Sequence, residues 1–219
     1  MLMSCVPEFR KLLDYVEVSL SDVKLVSMKP RGKIALSLMN VALDHAQGIC
    51  ALLEKGIYPP AMALQRVIFE TYIRAIWIEK CATDQQVSRF IKSDRIALNA
   101  KTDLPFSTLI KDVESAIGTT TLFSEVKENA GKILNSSTHG GMRQVDGYFD
   151  GNTIQHTYDR VIVNEMARLS TLFTCMSFSA ILDITENPKG EELAEKLFEL
   201  INPWAFNKSF QPTANSWAD

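Results

Sequence analysis

The spacing of the apolar residues constrains this chain most. They return with a helical period almost everywhere, and no stretch of four or more strictly alternating residues is flanked by hairpin turns. Recurrence every three or four positions is the mark of amphipathic helices, and strict alternation that of half-buried strands. The pattern predicts an all-α fold: a single bundle of six to eight helices over residues 1–206, followed by a loose tail over 207–219 rich in Asn, Ser and Pro.

Punctuation residues divide the pattern into helices. The first spans about Pro7 to Leu20, with Phe9, Leu12, Leu13 and Val16 on one face. The second runs from Ile34 to Lys55 after Pro30 and stops at Gly56. It carries two apolar stripes, one containing Ile34, Leu38, Val41, His45 and Leu52, the other Leu36, Met39, Leu43, Ala46, Cys50 and Leu53. A helix apolar on two sides packs between neighbours. Pro59 and Pro60 open the third helix, which reaches Cys81; Thr83 caps a fourth, and Pro105 begins a fifth that ends at Gly118. A sixth covers Leu122 to Thr138. Thr153 is expected to cap a long seventh to Ile184, and Glu191 to Asn202 form the last, ended by Pro203. The third and seventh are the most apolar and are expected at the centre.

At 46% hydrophobic and 22% charged, with a net charge of −3, the 219-residue chain has globular values, and its slight acidity argues against a protein that coats nucleic acid non-specifically. Pro7, Glu8, Arg10 and Lys11 interrupt any signal-peptide core. The uncharged run from Leu169 to Leu182 has 14 residues, short of the roughly 20 that a membrane span needs. Cys5, Cys50, Cys81 and Cys175 form no C-x-x-C pair and read as buried free thiols, which suits a cytoplasmic protein. No nucleotide-binding glycine loop, H-E-x-x-H, Glu-x-x-His or G-x-S-x-G occurs, so no cofactor and no metal is expected.

Four groups of residues stand out. Arg66, Glu70 and Arg74 lie at i, i+4 and i+8 on an otherwise apolar third helix. They form either a structural ion pair that fixes packing or a substrate-binding anion site, in which Glu70 holds the Arg66 guanidinium. A direct, at least partly buried Arg66–Glu70 pair is expected. His45 reads as a core histidine, and His156 as a surface residue in the first turn of the seventh helix. His139 differs: it ends the sixth helix and precedes Gly140 and Gly141. The glycine-rich loop that follows, Gly140 to Asn152, also carries Arg143, Asp146, Tyr148 and Asp150. An exposed histidine beside such a loop is the best catalytic candidate.

The Arg66-x-x-x-Glu70 helix, with Tyr72 and Trp77, followed by Asn135-Ser136-Ser137-Thr138-His139-Gly140, resembles uncharacterised bacterial all-helical proteins loosely similar to the HEPN superfamily. Proteins of that superfamily are helical bundles, commonly dimeric, and many are metal-independent endoribonucleases of toxin–antitoxin and antiphage systems. Their motif is an Arg, a polar residue, a few variable residues and a His. Asn135 matches the polar position and His139 the histidine, whereas Leu134 stands at the arginine position. The resemblance implies a homodimer, RNA as substrate, His139 and Asn135 as catalytic residues, and a cation drawn from Arg66, Lys132 or Arg143. The other reading of the same residues is a non-enzymatic helical module that senses a ligand or binds a partner protein. The separation of His139 from the nearest arginine discriminates the two.

Overall fold

A computed structural model describes residues 5–21, 23, 28–99, 101–139, 141–148, 153–154 and 157–205; the side chains of Ala130, Lys132, Ile133, Leu134, Ser137 and Arg143 lie outside the description. The predicted tail 207–219, His156 and the middle of the glycine-rich loop lie outside the described residues. The fold is all-α. Nine helices are described: α1 (Val6–Leu20), α2 (Pro30–Glu54), α3 (Tyr58–Lys80), α4 (Asp84–Ser93), α5 (Phe106–Ile117), α6 (Leu122–Thr138), α7 (Met142–Asp146), α8 (Arg160–Ile184) and α9 (Gly190–Ala205). No strand occurs among the described residues; an isolated antiparallel bridge joins Ala97 to Asp103.

Helices α2, α3 and α8 pack on one another and form the centre. Eleven residues of α3 are buried, from Ala61 to Ile78, and α8 buries Met166, Ala167, Phe173, Phe178, Ile181 and Leu182 on its apolar side. Of the two stripes expected on α2, Leu36, Met39, Leu43, Ala46, Cys50 and Leu53 are buried. The other stripe sits at the edge: Val41 is exposed and His45 only half-buried, so His45 is not the core histidine its spacing suggested. By length and composition alone α2 and α8 are apolar enough to cross a membrane. In this fold their apolar faces are turned to each other and to α3.

Local chemistry sets the ends. Thr83 and Gln86 form a reciprocal capping box at α4, as the sequence predicts. Gly118 ends α5 in the left-handed region at φ +74°, where a side chain would be strained. Three boundaries differ from expectation. Helix α8 begins at Arg160, not after Thr153, because Asp159 Oδ1 accepts the Ile162 N–H at 2.9 Å and caps it there. Part of the expected loop is helical, giving the short α7. Helix α9 is described from Gly190 to Ala205 and contains Pro203, so it does not stop at that proline.

The contact that matters for the site is α6 on α3. An aromatic cluster fastens them: Phe69 lies 5.6 Å from Phe106, 5.4 Å from Phe173 and 6.5 Å from Phe123, and Tyr72 lies 5.7 Å from Phe123. The first turn of α6 has no side-chain cap of its own. Glu114 of α5, buried at 4% exposure, supplies one: its carboxylate accepts the Ser124 N–H and the Ser124 hydroxyl, each at 2.7 Å. A carboxylate there also meets the positive end of the helix dipole.

Candidate functional site

Because Phe123 anchors one end of α6 against Phe69 and Tyr72, the other end of α6 comes to lie beside Arg66, one turn up α3. Arg66 Nε donates to Glu70 Oε1 at 2.7 Å, and the two side chains are 32% and 29% exposed. This is the expected ion pair, partly rather than fully buried. Arg66 Nη1 donates to Asn135 Oδ1 across the interhelical gap, and the same Nη1 lies 3.2 Å from His139 Nε2.

The donors decide what this contact means. A guanidinium has five N–H groups and no acceptor, so a hydrogen bond in this contact runs from Arg66 Nη1 to the lone pair of His139 Nε2. Glu70 and Asn135 hold the guanidinium plane from two sides, while Nη2 makes no hydrogen bond among the described residues. The site therefore combines a cation held on two sides, N–H donors that no described residue takes up, and an exposed imidazole.

His139 stands as the C-cap residue of α6, exposed, its N–H bonded to the Asn135 carbonyl at 3.3 Å. The chain then folds back tightly: the Gly141 N–H donates to the Ser136 carbonyl at 2.9 Å. A Cβ at position 141 would sit 2.3 Å from Ser136 Oγ and 2.9 Å from Ser136 Cα. Space, not an unusual φ, demands glycine there. The Gly-Gly pair after the helix hinted at this close approach; nothing in the sequence singled out Ser136 as the surface approached.

Asn135, whose i, i+4 spacing from His139 suits it to orient the imidazole or a phosphate oxygen, accepts from Arg66 through Oδ1 and braces the cation. Arg74 is exposed and takes no part in the bonded cluster, since Glu70 pairs with Arg66. The side chains of Arg143, Lys132 and Leu134 lie outside the described residues, so the position of Arg143 as a catalytic group rests on sequence alone. Of the three cations considered, Arg66 is the one whose side chain is described, and it lies at His139.

Among the described residues no three His, Cys, Asp or Glu side chains converge on a metal position. The cysteines are free thiols; Cys5 and Cys50 are buried, Cys81 and Cys175 half-buried. Burial pushes the Cys50 and Cys175 thiols up to about 12, which leaves them un-ionised and poor nucleophiles.

Residues 39–200 match DUF6988, a family of unknown function. The chain belongs to that family. The matched span contains Arg66, Glu70, Asn135, His139 and Gly141, so the whole cluster lies in the family's own domain, together with helices α3 to α8. No curated protein and no solved structure matches the chain significantly.

Proposed function

We propose that this member of DUF6988 is a HEPN-like, metal-independent endoribonuclease of the bacterial defence or toxin–antitoxin kind. One observation carries the reading: Arg66 Nη1 stands 3.2 Å from His139 Nε2, with the guanidinium held by Glu70 and Asn135. The cation missing at Leu134 is supplied from α3 instead of from the residue next to Asn135.

The chemistry needs few parts. Once the ribose 2′-OH displaces Arg66 Nη1 from His139 Nε2, the lone pair of that nitrogen takes the 2′-OH proton. The 2′ oxygen attacks the adjacent phosphorus and the P–O5′ bond breaks, leaving a 2′,3′-cyclic phosphate and a 5′-OH strand once the leaving oxygen has taken a proton from water or from the imidazolium of a second copy. Arg66 offers its two free Nη2–H donors to the phosphate oxygens, where negative charge builds.

Partnering follows the same reading. Val67, beside Arg66, and Met142, Val145 and Ile154, in the segment after His139, are exposed apolar side chains; Met142 and Ile154 are 65% and 85% exposed. Exposed apolar side chains next to Arg66 and after His139 in the chain suit a homodimer in which two copies face each other. Free thiols and an RNA substrate suit the cytoplasm.

The test is incubation of the purified protein with end-labelled RNA in excess EDTA. We expect cleavage to 2′,3′-cyclic phosphate ends, loss of turnover in His139→Ala and Arg66→Ala, and no cut where the 2′-OH is replaced by hydrogen. Cleavage that survives His139→Ala unchanged would remove the mechanism. A wild-type protein that cuts no RNA would favour a binding module.

A further inference from the structure

The N-terminal ends of α1, α3 and α8 enclose a cleft of about 1050 Å³, floored by Tyr58 and Tyr158. Their ring centroids are 5.2 Å apart with the planes tilted by 48°, and Tyr148 packs edge-on against Tyr158 at 6.4 Å. A Cβ on Gly147 would lie 2.2 Å from Tyr158 Cζ, so the backbone at Gly147 is pressed against that ring; the Thr157 N–H bonds the Gly147 carbonyl at 3.0 Å and fixes the approach.

The rim is charged but internally balanced. Arg10 forks onto Glu54 at 2.9 Å, and Lys11 pairs with Glu8 at 3.0 Å. Such a rim does not trap an anion. It offers donors and acceptors around an aromatic floor, which fits an uncharged planar ring with polar edges.

Two covalent paths tie this cleft to the catalytic cluster. Tyr58 and Arg66 share α3, and eight residues of helix advance about 12 Å. The segment Gly141–Tyr148 leads from His139 to the tyrosines. With nucleotides about 3.4 Å apart along a stacked strand, that distance is roughly three or four nucleotides, fewer if the strand is stretched.

We infer that the Tyr58–Tyr158 cleft takes up an unpaired base of the RNA strand that is cut at His139, a few nucleotides from the scissile phosphate. The substrate class is then single-stranded RNA, because a paired base cannot leave its helix to enter the cleft without unstacking. This assignment rests on the ribonuclease reading for the identity of the strand, and on the cleft itself for the base.

The test uses a short fluorescein-labelled, fully 2′-O-methylated RNA strand, which cannot be cut, and reads binding by anisotropy. The wild type should bind this strand. Tyr58→Ala should bind about tenfold to a hundredfold more weakly, the loss usual on deleting one base–aromatic stack. Tyr58→Phe should bind as wild type, and a fully paired duplex should compete poorly. As a measurement on the unaltered protein, a strand carrying 5-bromouracil should crosslink under ultraviolet light to Tyr58 or Tyr158. Folded Tyr58→Ala that binds as wild type, or crosslinks confined to other residues, would overturn the cleft assignment and leave the His139 mechanism standing. Tyr58-dependent binding by a protein that cuts no unmethylated RNA would do the reverse: the cleft would stand and the ribonuclease reading would fall.

Discussion

Arg66 is the residue on which the site turns, and its geometry matters more than its charge. Its Nε faces Glu70 and its Nη1 faces Asn135 and His139, while Nη2 makes no hydrogen bond among the described residues. A lysine has one ammonium and cannot span three partners in one plane. Arg66→Lys should therefore lower kcat by at least about a hundredfold, as loss of an oxyanion-stabilising donor does, while cleavage assays and melting curves run side by side separate activity from folding. Because the ion pair is partly open to water, its loss should cost only about 1 kcal/mol of stability. A melting point that collapses in step with activity would show the pair to be structural only. Spacing made Arg66 and Glu70 legible as a pair in the sequence, since i, i+4 neighbours share a helix face. It put Asn135 and His139 on one face of α6, but that this face meets Arg66 is decided by the packing of α6 on α3.

Helix α6 delivers His139, and two devices hold it in place. At its start, the buried Glu114 carboxylate of α5 replaces the cap that Thr121 does not provide. Glu114→Ala should destabilise the fold by about 1.5–3 kcal/mol, the worth of hydrogen bonds to a charged group, read as a lower denaturation midpoint with an unchanged slope. An unaltered midpoint would mean the cap contributes nothing. At its end, Gly141 lies against Ser136 with no room for a methyl group. Gly141→Ala should push the segment after His139 outward and lower turnover by about tenfold or more while most of the stability remains, since displacements of 1 Å are enough to cost 10²-fold in rate. Kinetics equal to wild type would show that the turn does not position the imidazole. The Gly-Gly signal marked the turn in the sequence. Glu114 gave no such signal, because a carboxylate capping a different helix lies ten residues away from the Ser124 it bonds.

For the whole molecule, Val67, next to Arg66 in the chain, and Met142, Val145 and Ile154, in the segment after His139, are exposed apolar side chains. Stable homodimers bury about 2,000 Å² or more in total, and a patch of this kind around a cleft is where such a surface would form. Light scattering at micromolar concentration should give twice the chain mass, and Met142→Glu should return the monomer without unfolding it. A wild-type monomer under those conditions would sink the proposal of two facing sites.

The helical period of 3.6 fixed the fold class, since burying apolar residues at that spacing is possible only by packing helices. The caps that belong to their own helix, Thr83 with Gln86 and the glycine at 118, could likewise be read from neighbours in the chain. The start of α8 could not: Thr153 and Asp159 are both capping residues, and the local sequence does not say which one the helix uses. Nor could the site. Arg66 and His139 are 73 residues apart, and their contact depends on the seat of Phe123 among Phe69, Phe173 and Tyr72, in which each ring makes room for the next. Period and capping are local and act within a turn or two of helix. The meeting of a cation and an imidazole from different helices follows from side-chain packing, which the tertiary structure alone decides.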